Sequence, residues 1–162
     1  MSIRTESALD TADREIRLSR VFNAPRNLVF DAWTDPERVV RWWGPAGFRT
    51  TTLEMDVRPG GTWRFIMHGP DGVDFPNRVI FKEIVRPERL VYLHGTGIDE
   101  DGFEDFLVTV TFVDRDGKTE LTMRSLFATA AGRDKVVREY GALEGGRQHL
   151  ARLAEFLAAE GT

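Results

Sequence analysis

The spacing of apolar positions changes period three times along the chain. Ile16, Leu18 and Val21 mark a first strand that closes near Phe22. After Pro25, Leu28, Val29, Ala32 and Trp33 recur at helical spacing, with proline placed where a helix can begin. Asp35-Pro36 is a second start signal, an N-cap followed by proline at the first helical position. Val39, Val40 and Trp43 then give a short amphipathic stretch stopped by Gly44-Pro45, so two short helices in tandem follow the first strand.

From Phe48 the period is two. Leu53, Met55 and Val57 alternate with Thr52, Glu54 and Asp56 up to the turn Pro59-Gly60-Gly61. Trp63, Phe65 and Met67 alternate up to a second turn, Gly69-Pro70-Asp71-Gly72. Strands over residues 78–85 and 90–95 flank Arg86-Pro87-Glu88. Phe106, Val108, Val110 and Phe112 lead to the hairpin signal Asp114-Arg115-Asp116-Gly117, with Leu121, Met123, Ser125 and Phe127 beyond it. Short turns between successive strands predict an antiparallel meander. The last segment steps by three or four residues through Val136, Tyr140, Leu143, Arg147, Leu150, Ala154 and Leu157, predicting a helix of about six turns with Arg147 as its one charged interruption.

Composition narrows the function classes. The chain has 162 residues, enough to bury a core without staples, with 41% hydrophobic and 30% charged residues and a net charge of −4. That mild acidity argues against nucleic-acid binding, which needs clustered Lys and Arg. Absence of cysteine excludes disulfides and thiolate chemistry. No apolar run suggests a signal sequence or a membrane span, so a cytoplasmic protein that does not bind membranes is expected. Residues 1–13 read as a flexible polar arm and 14–160 as a single domain.

The segments APRNLVFDAWTDPERVVRWWGP, DVRPGGTWRFIMHGPDG, KEIVRPERLVY and YGALEGGRQHLARLAEFL fall in an order that resembles the START-like, or SRPBCC, superfamily. Within it they look like the bacterial branch related to the activator of heat-shock protein 90 ATPase. The resemblance implies an α+β helix-grip fold: a curved antiparallel seven-stranded sheet around a long C-terminal helix, with two short helices after strand 1. It also implies a chaperone as an alternative partner and a link to the stress response.

On that fold, Leu53, Met55, Trp63, Phe65, Met67, Tyr92, Val108, Val110, Met123 and Phe127 are inward candidates from the sheet. Tyr140, Leu143 and Leu150 join them from the helix. Such an apolar and aromatic set suits either a filled core or a small-molecule cavity. Three glycines, Gly141, Gly145 and Gly146, interrupt the helical pattern at about 1 kcal/mol each relative to alanine. Close approach to the sheet, room for a ligand and a local break are three separate explanations. Adjacent residues cannot share a helix face, so Trp43 is expected inward, sealing the cavity's end, and Trp42 on the rim.

The polar chemistry is sparse. His68 and His94 are expected about 10 Å apart across one intervening strand, and the chain has neither HxH nor HExxH spacing, so no metal site and no cofactor are expected. His94 and Tyr92 share a face and could orient a polar group. Glu144 lies three residues before Arg147, as a surface pair or, if inward, as an acid or ligand anchor. Ser125 lacks an evident histidine partner, and no GxSxG motif occurs. The expected activity is therefore non-catalytic binding of an apolar or aromatic small molecule between sheet and helix, by a monomer or homodimer. The ligand-binding set is Trp43, Met55, Trp63, Phe65, Met67, Tyr92, His94, Val108, Val110, Met123, Phe127, Tyr140 and Glu144. A chaperone-ATPase activator and a cyclase- or hydrolase-like enzyme using His94, Tyr92 or Glu144 are the alternatives.

Overall fold

A computed structural model describes residues 12–98 and 104–160, apart from the Tyr140 side chain. Most of the expected arm, through residue 11, lies outside the described residues. After one 3₁₀ turn at Ala12–Arg14 come β1 (Glu15–Phe22), α1 (Arg26–Thr34) and α2 (Pro36–Val39). Six strands follow: β2 (Arg49–Met55), β3 (Thr62–His68), β4 (Asp74–Val85), β5 (Arg89–Gly95), β6 (Phe106–Arg115) and β7 (Lys118–Leu126). The chain ends in α3 (Ala130–Tyr140) and α4 (Ala142–Glu160).

All seven strands form one antiparallel sheet in the order β1-β7-β6-β5-β4-β3-β2, a meander with the first strand added beside the last. The β6–β7 hairpin closes as its sequence predicts: Asp116 and Gly117 both take positive φ, 56° and 86°, the twist a two-residue loop needs. At α2, the Asp35 side chain accepts the Glu37 amide at 2.9 Å and Pro36 occupies the first turn. The α1 and α4 helices pack against each other, and α4 also covers β1. One buried cluster runs from Val29, Phe30 and Trp33 of α1 through Phe65, Phe81, Tyr92 and Val110 of the sheet to Leu150 and Leu153 of α4.

Three expectations are corrected by this packing. Leu53 is 61% exposed rather than inward, because β2 bulges between Thr52 and Glu54 opposite β3 and the alternation slips by one residue. The C-terminal helix is two helices, broken at Gly141, whose left-handed backbone (φ 60°, ψ 39°) caps α3. Arg147 is not in the buried stripe; its side chain is 63% exposed and pairs with Glu144 at 3.5 Å.

The stripe of α4 runs instead along Ala142, Gly145, Gly146, His149, Leu150 and Leu153. Counting the glycines as apolar positions yields this helical spacing. A Cβ on Gly146 would come within 2.4 Å of the Leu18 side chain, so there the glycine lets α4 approach β1. A Cβ on Gly145 would touch only Pro45, at 3.6 Å, and faces open space. Close approach thus applies to Gly146 and a local break to Gly141.

Candidate functional site

Between the concave face of the sheet and the α3–α4 corner lies a cavity of about 600 Å³. Its size falls within the range of small-molecule sites. Every strand except β2 contributes to its wall, which is built mainly from Leu18, Met67, Phe106, Val108, Met123 and Phe127. The half-exposed Phe75 and Ile98 belong to its mouth, and among the described residues Glu139 is the one charged residue on its lining. Asn77, Thr96 and Ser125 add polar groups to the wall.

Of the thirteen residues expected to bind, Trp43, Met67, Tyr92, His94, Val108, Met123 and Phe127 face this cavity. Trp63, Phe65 and Val110 are buried in the core behind it. There Trp63 stacks on Phe65 at 4.0 Å, and Trp43 meets Trp63 edge-on at 4.8 Å. Met55 packs on the same cluster, and Glu144 is 67% exposed on the outer face of α4. The Tyr140 side chain lies outside the described residues.

Both adjacent indoles are buried. Trp42 is fully enclosed rather than on the rim, and its Nε1–H donates to the Ala32 carbonyl at 2.9 Å. The physical reason is that the turn after Val39 is covered on more than one side, by α1 and by α4, so a residue off the Val39 stripe is enclosed as well. Trp42 is wedged between Trp33 of α1 (4.9 Å) and His149 of α4 (4.8 Å). Trp43 crosses His149 edge-on at 4.5 Å and presents its other side to the cavity.

His149, which sequence reasoning assigned no role, is the hinge of this end. Its Nδ1 accepts the Gly44 amide at 3.0 Å. Nearby, Arg152 Nη1 donates to the carbonyls of Trp43, Gly44 and Pro45, at 3.0, 3.1 and 3.1 Å. Together they fix the loop that carries Trp43 against α4.

On the other side of Trp43, at the same end of the cavity, His94 Nε2 bonds Asn77 Oδ1 at 2.9 Å. His68 sits elsewhere: it pairs opposite Asp74, whereas His94 pairs opposite Val79 farther along the same strand. His68 bonds Asp74 and Thr51, both at 2.8 Å, so the expected approach of the two histidines does not occur. Among the described residues no group of three or more His, Asp or Glu could hold a metal ion.

Burial disfavours charge throughout this end of the cavity. It pushes His94 down to about 4. It pushes His149 down to about 3, with smaller contributions from the charges of His94 and Arg152. Burial raises the Tyr92 phenol above its ordinary value, against a smaller opposing pull from the Trp33 indole. That indole N–H reaches toward Tyr92 but forms no hydrogen bond of ordinary geometry.

Residues 23–158 match the family described as Activator of Hsp90 ATPase homolog 1-like protein. The chain belongs to this family. Solved structures of family-like fold agree. A protein of Nitrosomonas europaea is 26% identical, covers 92% of this chain and 97% of its own, and superposes with a TM-score of 0.81. One from Arthrobacter aurescens is 25% identical over 93% of this chain and 89% of its own, with a TM-score of 0.85. A third, from Chromobacterium violaceum, is 27% identical over 88% and 95%, with a TM-score of 0.77. A search of curated proteins gave no match. This Hsp90-activator-like chain therefore shares the helix-grip architecture of its relatives, and none of its described helices is long and apolar enough to cross a membrane.

Proposed function

We propose that this protein binds an apolar or aromatic small molecule in the cavity between sheet and α4, without catalysing its conversion. The observation that carries the reading is the cavity itself: about 600 Å³ of space beneath a helix whose glycine stripe keeps side chains out of it. The electrostatics favour binding over acid–base chemistry. A catalytic group works best with a pKa near the operating pH. His94 at about 4 and His149 at about 3 are weak bases, and Tyr92 is a weaker acid than a free phenol. Glu144, the remaining candidate acid, faces solvent.

Gly145→Leu tests the reading. A Cβ fits at this position, and the gain in helix propensity, about 1 kcal/mol, offsets part of any strain. The rest of the leucine must enter the cavity. Thermal unfolding is expected to change by only a few degrees, while affinity for a neutral fluorescent probe such as N-phenyl-1-naphthylamine falls at least tenfold. Equal probe affinity in the variant and the wild type removes the proposal. Stimulation of an Hsp90 ATPase, the activity named by the family's description, would use an outer surface. Equal stimulation by wild type and Gly145→Leu would assign that activity outside the cavity.

A further inference from the structure

Two hydrogen-bond partners fix the protonation pattern at the Trp43 end of the cavity. The Gly44 amide can only donate, so His149 Nδ1 is an acceptor and the ring proton of neutral His149 lies on Nε2. Asn77 Nδ2 donates to the Phe75 carbonyl at 2.9 Å, which identifies Oδ1 as the amide atom facing His94. His94 Nε2 is therefore the donor in that bond, and its Nδ1 is left with a lone pair. Among the described residues, the one fully enclosed side-chain nitrogen or oxygen without a partner is Trp33 Nε1. The unbonded nitrogens of His94 and His149 are therefore not sealed, and both residues line the cavity. Each ring also touches the same indole, with centroids 6.4 Å (His94) and 4.5 Å (His149) from Trp43. This end of a mainly apolar cavity offers at least one donor and one acceptor, both uncharged.

Fixed charge is arranged against an anionic ligand. The one guanidinium near this end, Arg152, spends Nη1 on three backbone carbonyls and does not line the cavity. The charged residue that does line it, Glu139, is an acid. A buried carboxylate would meet no cation on the described lining, and a buried ammonium would give up water for scattered neutral acceptors, with Glu139 its one charged partner among the described residues.

We infer, on the reading that the cavity is a binding site, that its ligand is an uncharged ring-containing molecule bearing a hydroxyl-type group. That group both donates and accepts, and it is seated where His94 and His149 meet Trp43. A hydroxyl donates to His94 Nδ1 or accepts from His149 Nε2–H without either histidine changing its protonation state.

A matched series on the wild-type protein tests this: pyrene, 1-hydroxypyrene, 1-pyrenecarboxylate and 1-pyrenemethylammonium, titrated by fluorescence at neutral pH. The hydroxyl compound is expected to bind about 3- to 10-fold more tightly than pyrene, the gain of one or two net hydrogen bonds. Both ions are expected to bind at least tenfold more weakly than 1-hydroxypyrene. His94→Phe keeps a ring of similar shape without the acceptor. It should lower the affinity for 1-hydroxypyrene more than that for pyrene, bringing the ratio of the two to about one. Equal binding of pyrene and 1-hydroxypyrene, tightest binding of an ion, or an equal loss of both neutral probes in His94→Phe overturns the inference and leaves the cavity reading standing. Binding of none of the four removes the cavity reading itself, and this inference with it.

Discussion

Replacing Trp42 with alanine is expected to cost about 3–5 kcal/mol of stability, the usual range for deleting a large buried aromatic. The ring is fully enclosed between Trp33 and His149, so its removal leaves a void that α1 and α4 cannot both collapse into. The same change leaves the Ala32 carbonyl without its 2.9 Å donor, a further cost of about 1–3 kcal/mol for a buried polar group. Against a typical net stability of about 5–15 kcal/mol, this is a large fraction. Trp42→Phe keeps one aromatic ring but loses the hydrogen bond and part of the buried volume, so it should fall between alanine and wild type. Leu53→Ser, at an exposed bulge, should change stability by no more than about 0.5 kcal/mol. Urea denaturation of the three variants checks the order. If Trp42→Ala proves no more costly than Leu53→Ser, the packing described above for the turn after α2 is wrong.

Acidification should destabilise the fold in a window set by its two cavity histidines. In the unfolded chain both titrate near 6.5, whereas in the folded protein burial holds His94 at about 4 and His149 at about 3. Between those limits the unfolded state binds protons that the folded state refuses. Stability therefore falls as pH drops below about 6.5, and the fall continues until about pH 4, levelling off only near the folded values. At roughly 1.4 kcal/mol per unit of separation, the combined loss is on the order of several kcal/mol. Ordinary carboxylates are still mostly ionised over the upper part of this window, so the slope there belongs to histidine. Denaturant unfolding at a series of pH values should show it, and His94→Phe should roughly halve its slope, leaving the part that belongs to His149. A wild-type midpoint that does not move between pH 7 and 4.5 would mean that these imidazoles are not buried in their neutral form.

Much of the architecture was legible because it is local. Alternation of two, the Asp35-Pro36 start signal and the Asp116-Gly117 hairpin depend on neighbours in the chain, and the structure places each where the pattern does. Seven of the binding candidates reach the cavity for the same reason: they share the inward parity of β3, β5, β6 and β7, or close the loop before β2. Trp63 and Phe65 have that parity too, yet Trp43 is folded over them from another part of the chain. Parity fixes a face of the sheet; what covers that face is a separate matter.

The amino-acid order alone determined a meander of strands, two short helices and an amphipathic C-terminal segment, since those follow from period, caps and turns. Tertiary structure decided the rest. It buried Trp42 as well as Trp43, because the turn after Val39 is enclosed by α1 and α4. It also drew His149 to the Gly44 amide across 105 residues and left a hollow beside Gly145. The physical reason is that a side chain's exposure depends on which distant element lies over it, and sequence spacing does not carry that information.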